Sequence, residues 1–242
     1  MAFTPLKLVM STTLQIFEIP SSSTFDQPNT LAGRQWKTVL GYPARCVGFH
    51  SAWWGRHLEN PERITLFIDW NNDSKAQAFR SQHYPVFFAL IEPLLSTRPA
   101  DPSIIDISPI TICEPANYPG GGLTTLQRLT FNTLNADQRQ CLLGDTLWDY
   151  LSHLRVETES CTEGYKGGYA AWELDDTGAK TATLWLLTSW TSMEAEKRCE
   201  RELCTAEGLN MKDAYLEKMM EKADDGGEKH HVGWEMLAGD KM

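Results

Sequence analysis

Long hydrophobic runs are the first feature that this sequence of 242 residues lacks. No window approaches the ~20 consecutive apolar residues that a membrane-spanning helix needs. The opening MAFTPLKLVM is apolar, but it contains Pro5 and Lys7 and has neither the basic segment nor the small-residue cleavage site of a secretory signal. We therefore expect no membrane partner and a cytoplasmic location.

Concentrated positive charge is also missing. Lys and Arg total 22 against 32 Asp and Glu, which gives a formal net charge of −10, and the basic residues are scattered along the chain. Nucleic-acid phosphates are bound by clustered Lys and Arg. The charge pattern therefore predicts that no nucleic acid is a partner.

Motifs for metals, nucleotides and common nucleophiles are absent as well. The cysteines show no CxxC or CxxH spacing, and neither HExxH nor a 2-His-carboxylate pattern occurs. Gly120–Gly122 precedes a strand rather than a helix, so it does not predict a nucleotide loop, and no Walker motif or GxSxG elbow is present. We predict no metal and no cofactor. We expect free thiols, because a chain with a full core needs no disulfides.

The sequence does contain a regular succession of strand-like and helix-like patterns. The first series is a strand at Leu14–Ile19, a helix at about 26–41 capped by Asp26, strands at Cys46–Trp54 and Ile64–Trp70, a helix from Asp73 or Ser74 to about Leu95, and a strand at Ile104–Ile112. Pro85 and Pro93 are expected to kink or divide the second helix. This β-α-β-β-α-β order is that of a ferredoxin-like unit.

The same succession restarts after the Pro/Gly-rich linker Glu114–Gly122. The second series is a strand at Leu126–Leu134, a helix from Asn135 to about Leu154, strands at Gly167–Leu174 and Thr181–Trp190, a helical region at Ser192–Lys222, and a strand at His230–Leu237. The sequence therefore predicts two domains, 1–116 and 117–242, the first with the working pocket and the second as its support.

Residue matches between the halves predict a tandem duplication. An offset of 120 positions relates Gly48-Phe49 to Gly168-Tyr169, Leu66 to Leu186, and Trp70 to Trp190. Leu14-Gln15 and Leu126-Gln127 begin the first strands of the two halves.

Both faces of the hairpin strands are apolar, and a sheet of this kind must be covered on both sides. The predicted fold is therefore α+β, with two tandem ferredoxin-like repeats packing sheet to sheet as an intramolecular dimeric α+β barrel. A homodimer would bury the same faces with two chains. A tandem repeat needs only one, so we expect a monomer, or an oligomer built on other surfaces.

The stretch GFHSAWWGRHLENPERITLFIDWNNDSKAQAFRSQHYPVFFALIEPLL resembles the dimeric α+β barrel superfamily, in its antibiotic-biosynthesis-monooxygenase-like and stress-responsive branches. The second half shows the same skeleton more faintly in GGYAAWEL, TATLWLLTSWTS and DAYLEKMM. The resemblance implies a pocket between the sheet and the helices of each half. It also implies a choice among cofactor-free oxygenases, polyketide cyclases, haem-degrading enzymes, lactone isomerases and proteins without known activity. Function must therefore be argued from the site.

His50 is the leading candidate for acid/base chemistry. Strand alternation places it with Ala52 and Trp54, and Gly48 leaves room beside it. In an aromatic-walled pocket, a histidine can take or give a proton near neutral pH. The alternative is a core histidine bonded to a backbone carbonyl.

His83 and Tyr84 are the polar partners predicted on the second helix, where they could donate a proton or hold a substrate oxygen. Asp69 is a further candidate, because a carboxylate within an apolar strand is costly unless it is paired. The predicted substrate-binding residues are Trp53, Trp54, Arg56, Phe67, Asp69 and Phe88.

Other polar groups allow a simpler interpretation. Arg56 could hold a carboxylate or enolate, but together with His57 and Glu59 it precedes the Asn60-Pro61 turn, as the solvated end of a hairpin would. His230 and His231 are adjacent on a strand, point to opposite faces, and cannot chelate one metal together.

These observations lead to three hypotheses. The first is a cofactor-independent enzyme of secondary metabolism that cyclises or isomerises a hydrophobic polyketide- or terpenoid-like substrate. The second is a cofactor-free monooxygenase. The third is a non-catalytic ligand-binding or stress-responsive protein that uses the same pocket.

Overall fold

The computed structural model describes residues 11–96, 105–110, 123–132, 142, 164–173, 181–205 and 228–237. The chain divides into two compact units. Unit 1 consists of Met1–Arg56, Asn60–Pro109 and Met236–Met242, and unit 2 consists of His57–Glu59 and Ile110–Glu235. The predicted boundary after residue 116 and the linker lie outside the described residues, and so does the predicted helix from Asn135 apart from residue 142.

Unit 1 follows the predicted order of elements. They are β1 (Ser11–Glu18), α1 (Leu31–Gly41), β2 (Phe49–His57), β3 (Arg63–Trp70), α2 (Asp73–Ala78), α3 (Tyr84–Ile91) and β4 (Ile105–Ile110). A π-helical turn, Phe79–His83, joins α2 to α3, and short 3-10 turns follow α1 and α3. β2 begins three residues later than predicted and ends at His57, beyond the predicted Trp54.

The strands of unit 1 pair antiparallel in the order β4-β1-β3-β2. This order places the two hairpin strands beside each other and β1 in the centre, as in a ferredoxin-like unit. In one row across the sheet, Phe67 on β3 pairs with Leu14 on β1 and with Trp53 on β2.

The helix starts differ from the predicted ones because of capping chemistry. Thr30, rather than Asp26, caps α1, and its Oγ1 accepts a hydrogen bond of 2.9 Å from Gly33 N. Asn72, rather than Asp73 or Ser74, caps α2 through a 3.1 Å bond from Lys75 N.

The predicted division of the second helix at Pro85 is confirmed. Pro85 lies in the first turn of α3, directly after the π-helical turn. A proline ring inside a regular helix would clash with the carbonyl four residues earlier, here that of Ser81, and would leave that carbonyl without its donor. The wider turn accommodates the ring and lets the chain continue as a helix.

Both faces of the unit 1 sheet are buried, but the face away from the helices also carries polar side chains, among them Asp69, so the sheet is less uniformly apolar than the sequence predicts. The face toward the helices is lined by alternate residues of β3, among them Ile64, Leu66, Ile68 and Trp70, and it packs against α1, α2 and α3. We call the space between this face and the helices the sheet–helix layer. The opposite face carries Phe67, which is fully buried.

Unit 2 repeats the strand order of unit 1. Its elements are β5 (Leu123–Asn132), β6 (Tyr165–Glu173), β7 (Thr181–Trp190), α4 (Met193–Thr205) and β8 (Glu228–Leu237). The antiparallel order is β8-β5-β7-β6. The predicted α+β class, with ferredoxin-like units, is thus confirmed, whereas duplication as the origin of the two units stays a prediction.

The alignment of the first hairpin strands needs a correction. Phe49 pairs with Trp70, and Tyr165 pairs with Trp190, and each pair is followed by a β-bulge. The residue of unit 2 that corresponds in position to Phe49 is therefore Tyr165, not Tyr169. The 120-residue offset holds for the second hairpin strands, β3 and β7. The first hairpin strands, β2 and β6, are offset by four residues fewer.

A glycine with positive φ precedes each of these aromatic residues. Gly48 has φ 91° and Gly164 has φ 128°. Their carbonyls accept hydrogen bonds from Asn71 N at 2.9 Å and Thr191 N at 2.7 Å, in the residues that follow β3 and β7. A backbone with this positive φ favours glycine. At both positions the hydrogen bond to the glycine carbonyl holds the start of a hairpin strand next to the residues that lead into a helix.

In the described part of the chain, none of the helices is both long enough and apolar enough to cross a membrane.

Candidate functional site

A tyrosine–histidine pair lies beside the π-helical turn of unit 1. Tyr42 Oη and His83 Nδ1 are 3.3 Å apart. Tyr42 is the residue that ends α1, and His83 ends the π-helical turn. We call these two residues the Tyr42–His83 pair. The sequence predicts His83 as a site residue but gives no signal for Tyr42, which is 41 positions away and reaches it only in the folded chain.

Aromatic rings surround the Tyr42–His83 pair. Phe79 stacks on His83 with ring centroids 6.4 Å apart, and Phe87 lies 6.3 Å from Tyr42. Phe79 and Phe87 are fully buried, whereas Tyr42 and His83 are half-buried. A half-buried imidazole among aromatic rings is in a setting suited to proton transfer with an apolar ligand.

The hydrogen bond in the Tyr42–His83 pair couples the tautomer of His83 to the hydroxyl of Tyr42. When His83 Nδ1 carries the proton, it donates to Tyr42 Oη, and Nε2 is left free to accept a proton. When Tyr42 donates to Nδ1, Nε2 carries the proton and can give it up. The pair can therefore serve as a base and then as an acid without a second histidine.

Cys46 lies beside the same tyrosine. Its Sγ is 3.6 Å from the carbonyl oxygen of Tyr42, to which the thiol donates. Burial raises the pKa of the Cys46 thiol, although the nearby Arg45 partly opposes this shift. Cys46 is a free thiol, as predicted, and it is protonated at neutral pH.

Tyr84 and Phe88 lie on α3 next to the pair, as the sequence predicts. The Tyr84 ring is 6.2 Å from Phe87 and 6.1 Å from Phe88. Both Tyr84 and Phe88 are half-buried. The structure therefore brings three of the predicted residues, His83, Tyr84 and Phe88, into one aromatic cluster.

His50 does not lie in the predicted aromatic-walled pocket. It is exposed, and it is the extra residue of the β-bulge between Phe49 and Ser51. A bulge leaves one residue outside the pairing and breaks the alternation of faces on which the prediction relied. That placement was wrong, and a catalytic role for His50 has no support from the geometry.

Asp69 is paired and buried on the sheet face away from the helices. Its carboxylate accepts hydrogen bonds from Thr12 Oγ1 at 2.7 Å and Ser51 Oγ at 2.6 Å. Burial raises the pKa of Asp69 above its ordinary value, and the two hydroxyls only partly offset this shift. Trp53 and Phe67 share that face and are buried, so the structure separates these three predicted residues from the Tyr42–His83 pair.

Trp54 lies on the sheet face toward the helices, where it belongs to an aromatic cluster. Its ring centroid is 5.3 Å from Trp36 and 5.5 Å from Phe25. Arg56 is held by its neighbours, because its guanidinium lies 4.2 Å from the centroid of the Phe25 ring and 3.4 Å from Asp26 Oδ2. Another bond, of 2.6 Å, joins Arg56 Nη1 to the Pro61 carbonyl. Arg56 thus supports the hairpin rather than the pair.

A second polar cluster, in unit 2, was missed by the sequence analysis. His231 Nε2 is 2.9 Å from Glu196 Oε2, and His231 Nδ1 is hydrogen-bonded to Glu59. Lys229 Nζ lies 2.6 Å from the other oxygen of Glu196. We call Glu59, Glu196, Lys229 and His231 the carboxylate–histidine cluster. Glu59 is exposed, as predicted for a hairpin end, but its carboxylate is also hydrogen-bonded to His231.

The charges of this cluster stabilise one another. Burial alone would raise the pKa of Glu196, but hydrogen bonds from His231 and Lys229 outweigh it and lower the pKa to about 2. The hydrogen bond to Glu196 raises the pKa of His231, and Glu59 adds to the effect against burial. Burial alone would raise the pKa of Glu59, but the hydrogen bonds from His231 outweigh burial and lower the pKa.

Both ring nitrogens of His231 are therefore engaged by carboxylates, so this ring has no nitrogen left for a substrate. Strand alternation could have placed Lys229 and His231 on one face, but nothing local to the sequence indicates that Glu196 lies opposite them. Within the described ranges, no group of three or more His, Cys, Asp or Glu side chains is arranged to hold a metal ion. We interpret the cluster as structural.

Comparison with known proteins bears on the fold. No family profile matches the sequence, and no curated protein matches it. Among solved structures, an anthrone oxidase-like protein is 14% identical with a TM-score of 0.60, and the match covers 96% of this chain and 94% of that one. A candidate monooxygenase from Lactobacillus acidophilus is 8% identical with a TM-score of 0.54, covering 96% and 97%.

A candidate chlorite dismutase is similar in the same way, at 10% identity and a TM-score of 0.56, with 96% of this chain and 95% of that one covered. At such low identities the likeness shows the fold alone. The neighbours are of the monooxygenase-like and chlorite dismutase-like α+β barrel type. The predicted resemblance is thus confirmed at the level of fold.

Proposed function

We propose that this chain is a cofactor-independent oxygenase that acts on a hydrophobic, electron-rich phenol or enol, with the Tyr42–His83 pair moving the proton. The observation that carries the proposal is the 3.3 Å contact between Tyr42 Oη and His83 Nδ1 among aromatic rings. Its position at a π-helical turn supports the proposal, because such turns are frequent at functional sites.

The proposed reaction converts an activated ring methylene into a carbonyl. His83 Nε2 takes a proton from the substrate, and the resulting carbanion passes an electron to O2. The two radicals combine to a peroxide, which takes the proton back. Loss of the second C–H proton then breaks the O–O bond. One oxygen atom stays on the substrate as the carbonyl oxygen, and the other leaves with the two former methylene hydrogens as water.

Oxygenation is favoured over the other predicted reactions by the similar structures. The fold is shared with proteins named as an anthrone oxidase-like protein and as candidate monooxygenases. Cyclisation or isomerisation of a polyketide- or terpenoid-like substrate is the second candidate, because a tyrosine–histidine pair can move a proton between two substrate atoms without oxygen.

Oxygen consumption tests the proposal. Purified protein is mixed with anthrones and naphthols, and O2 uptake is followed together with incorporation of labelled oxygen. We expect His83→Gln to lower kcat by about 10²- to 10⁴-fold, the usual contribution of a positioned acid or base. Tyr42→Phe should lower it less, and Gln82→Ala, an exposed neighbour in the same turn, should leave it unchanged.

Other outcomes would point elsewhere. Product formation without O2 uptake would support the cyclase or isomerase. Binding without turnover would support the non-catalytic ligand-binding protein. Loss of turnover in His50→Gln, with full turnover in His83→Gln, would assign the chemistry to His50 and overturn the proposal.

A further inference from the structure

Gln15 is a buried amide without hydrogen bonds. It lies on β1 opposite Leu66 of β3, on the sheet face toward the helices. Its exposed fraction is 0%, and neither Oε1 nor Nε2 has a hydrogen-bond partner in the part of the chain that the structure describes. An amide buried in this way loses its bonds to water without replacement, which is rare in native proteins.

Gln15 is unusual even by comparison with its counterpart. Gln127 occupies the matching register in unit 2, opposite Leu186 as Gln15 is opposite Leu66. Gln127 is only half-buried. The strand can therefore carry a glutamine at this position without burying its amide. The full burial of the Gln15 amide needs another explanation.

A second unpaired polar group lies in the same sheet–helix layer. Trp36 Nε1 is buried and has no hydrogen-bond acceptor among the described residues. Trp36 packs on Trp54 at 5.3 Å, and Trp54 shares a row across the sheet with Leu66 and Gln15. Since neighbouring strands are about 4.8 Å apart, the Cα atoms of Trp54 and Gln15 are separated by roughly 10 Å.

The same layer leads to the Tyr42–His83 pair. Thr13, the next residue of β1 on this face, accepts a 3.3 Å hydrogen bond from Trp70 Nε1. Trp70 packs on Phe79 at 4.7 Å, and Phe79 stacks on His83. The strand that carries Gln15 is thus linked to the Tyr42–His83 pair through Thr13, Trp70 and Phe79 of the same sheet–helix layer.

We propose that Gln15 determines substrate specificity by binding two neighbouring oxygens on the edge of a planar phenol. Its Oε1 accepts from the hydroxyl of one oxygen, and its Nε2 donates to the other. The aromatic rings of the layer hold the flat part of the ligand. The inference rests on the proposed function, because it names the class of substrate for the same layer.

Ligand binding tests this inference without turnover. The probe is 2,3-dihydroxynaphthalene, and the comparison ligand is 2-naphthol, which has one oxygen. By titration calorimetry under nitrogen, we expect the wild-type protein to prefer the diol by about tenfold, the size of one net hydrogen bond. Gln15→Leu should abolish this preference, and the matched control Gln127→Leu should retain it.

Thermal unfolding of the ligand-free variants gives a second measurement. Gln15→Leu should raise the Tm, because it replaces an unpaired buried amide with an apolar side chain of similar size. A lower Tm for Gln15→Leu would mean that the amide stabilises the fold, and would overturn the inference. So would equal binding of the two probes by the wild type, binding of neither, or a preference that survives in Gln15→Leu.

Failure of this inference and failure of the proposed function are distinguishable. If specificity lies elsewhere, the two probes bind equally while His83-dependent turnover remains. If the protein binds phenols without converting them, the preference for the diol depends on Gln15 while no turnover is found.

Discussion

Glu196 provides a stability test whose size follows from the structure. The carboxylate is buried, and the pKa is lowered from 4.5 to about 2 by His231 and Lys229 against the effect of burial. Because one pKa unit corresponds to 1.36 kcal/mol, the ionised form stabilises the folded chain by about 3 kcal/mol. We expect Glu196→Gln to lose about this much free energy of unfolding at pH 6.

The sign of the pH dependence follows from the direction of each shift. A carboxylate whose pKa is lowered on folding stabilises the fold above the unfolded pKa of 4.5, and this contribution is lost as the pH falls toward 2. His231 has a raised pKa, so its contribution is complete below 6.5 and is lost as the pH rises through the folded value. The cluster therefore stabilises the protein most between these two pH values.

The assay is urea unfolding of the wild type and Glu196→Gln at pH 6 and pH 3. The difference in the free energy of unfolding should shrink from about 3 kcal/mol to about 1.5 kcal/mol at the lower pH. Glu194→Gln, an exposed glutamate of the same helix, is the control and should lose much less. A loss for Glu196→Gln that is equal at both pH values would refute the electrostatic explanation.

Three smaller predictions concern unit 1. Gly48→Ala should destabilise the protein by about 1–3 kcal/mol in chemical denaturation, because φ is 91° and the new Cβ would meet the Lys75 side chain, whereas Gly41→Ala, which meets nothing within 4 Å, should not. Thr30→Ala should cost about 1 kcal/mol by removing the cap of α1, and Thr30→Ser should restore most of it. Burial raises the pKa of Asp69, so its ionisation destabilises the fold as the pH rises. The Tm of Asp69→Asn relative to that of the wild type should therefore increase between pH 4 and pH 8. A decrease of this relative Tm would contradict the raised pKa.

The order of elements could be predicted from the sequence because its signals are local. Alternation of apolar residues marks β3 and β7, and the capping residues after Trp70 mark the start of a helix. The predicted bounds of β7, Thr181–Trp190, agree with the structure at both ends. Glycines and prolines in the turns indicate the ends of the other elements to within a few residues.

The site was less predictable, because its residues meet only through tertiary contacts. His83 was found because it lies within an aromatic helix pattern, whereas Tyr42 comes from the end of another helix. His50 was misplaced because a bulge, which shifts the alternation by one residue, cannot be read from apolar periodicity. The sequence marks Gln15 only as a position of the repeat, since burial of its amide depends on what covers the strand.

The π-helical turn Phe79–His83 also sets the phase between the two parts of the second helix. Each residue of an α-helix advances the helix by about 100°, so removing one residue from the turn would rotate α3 by roughly that angle relative to α2. Phe87 and Ile91 would then leave the core, and another side chain would take the place of His83 beside Tyr42. Length at this point of the chain is therefore as constrained as residue identity, and insertions or deletions compatible with the site should fall outside the turn.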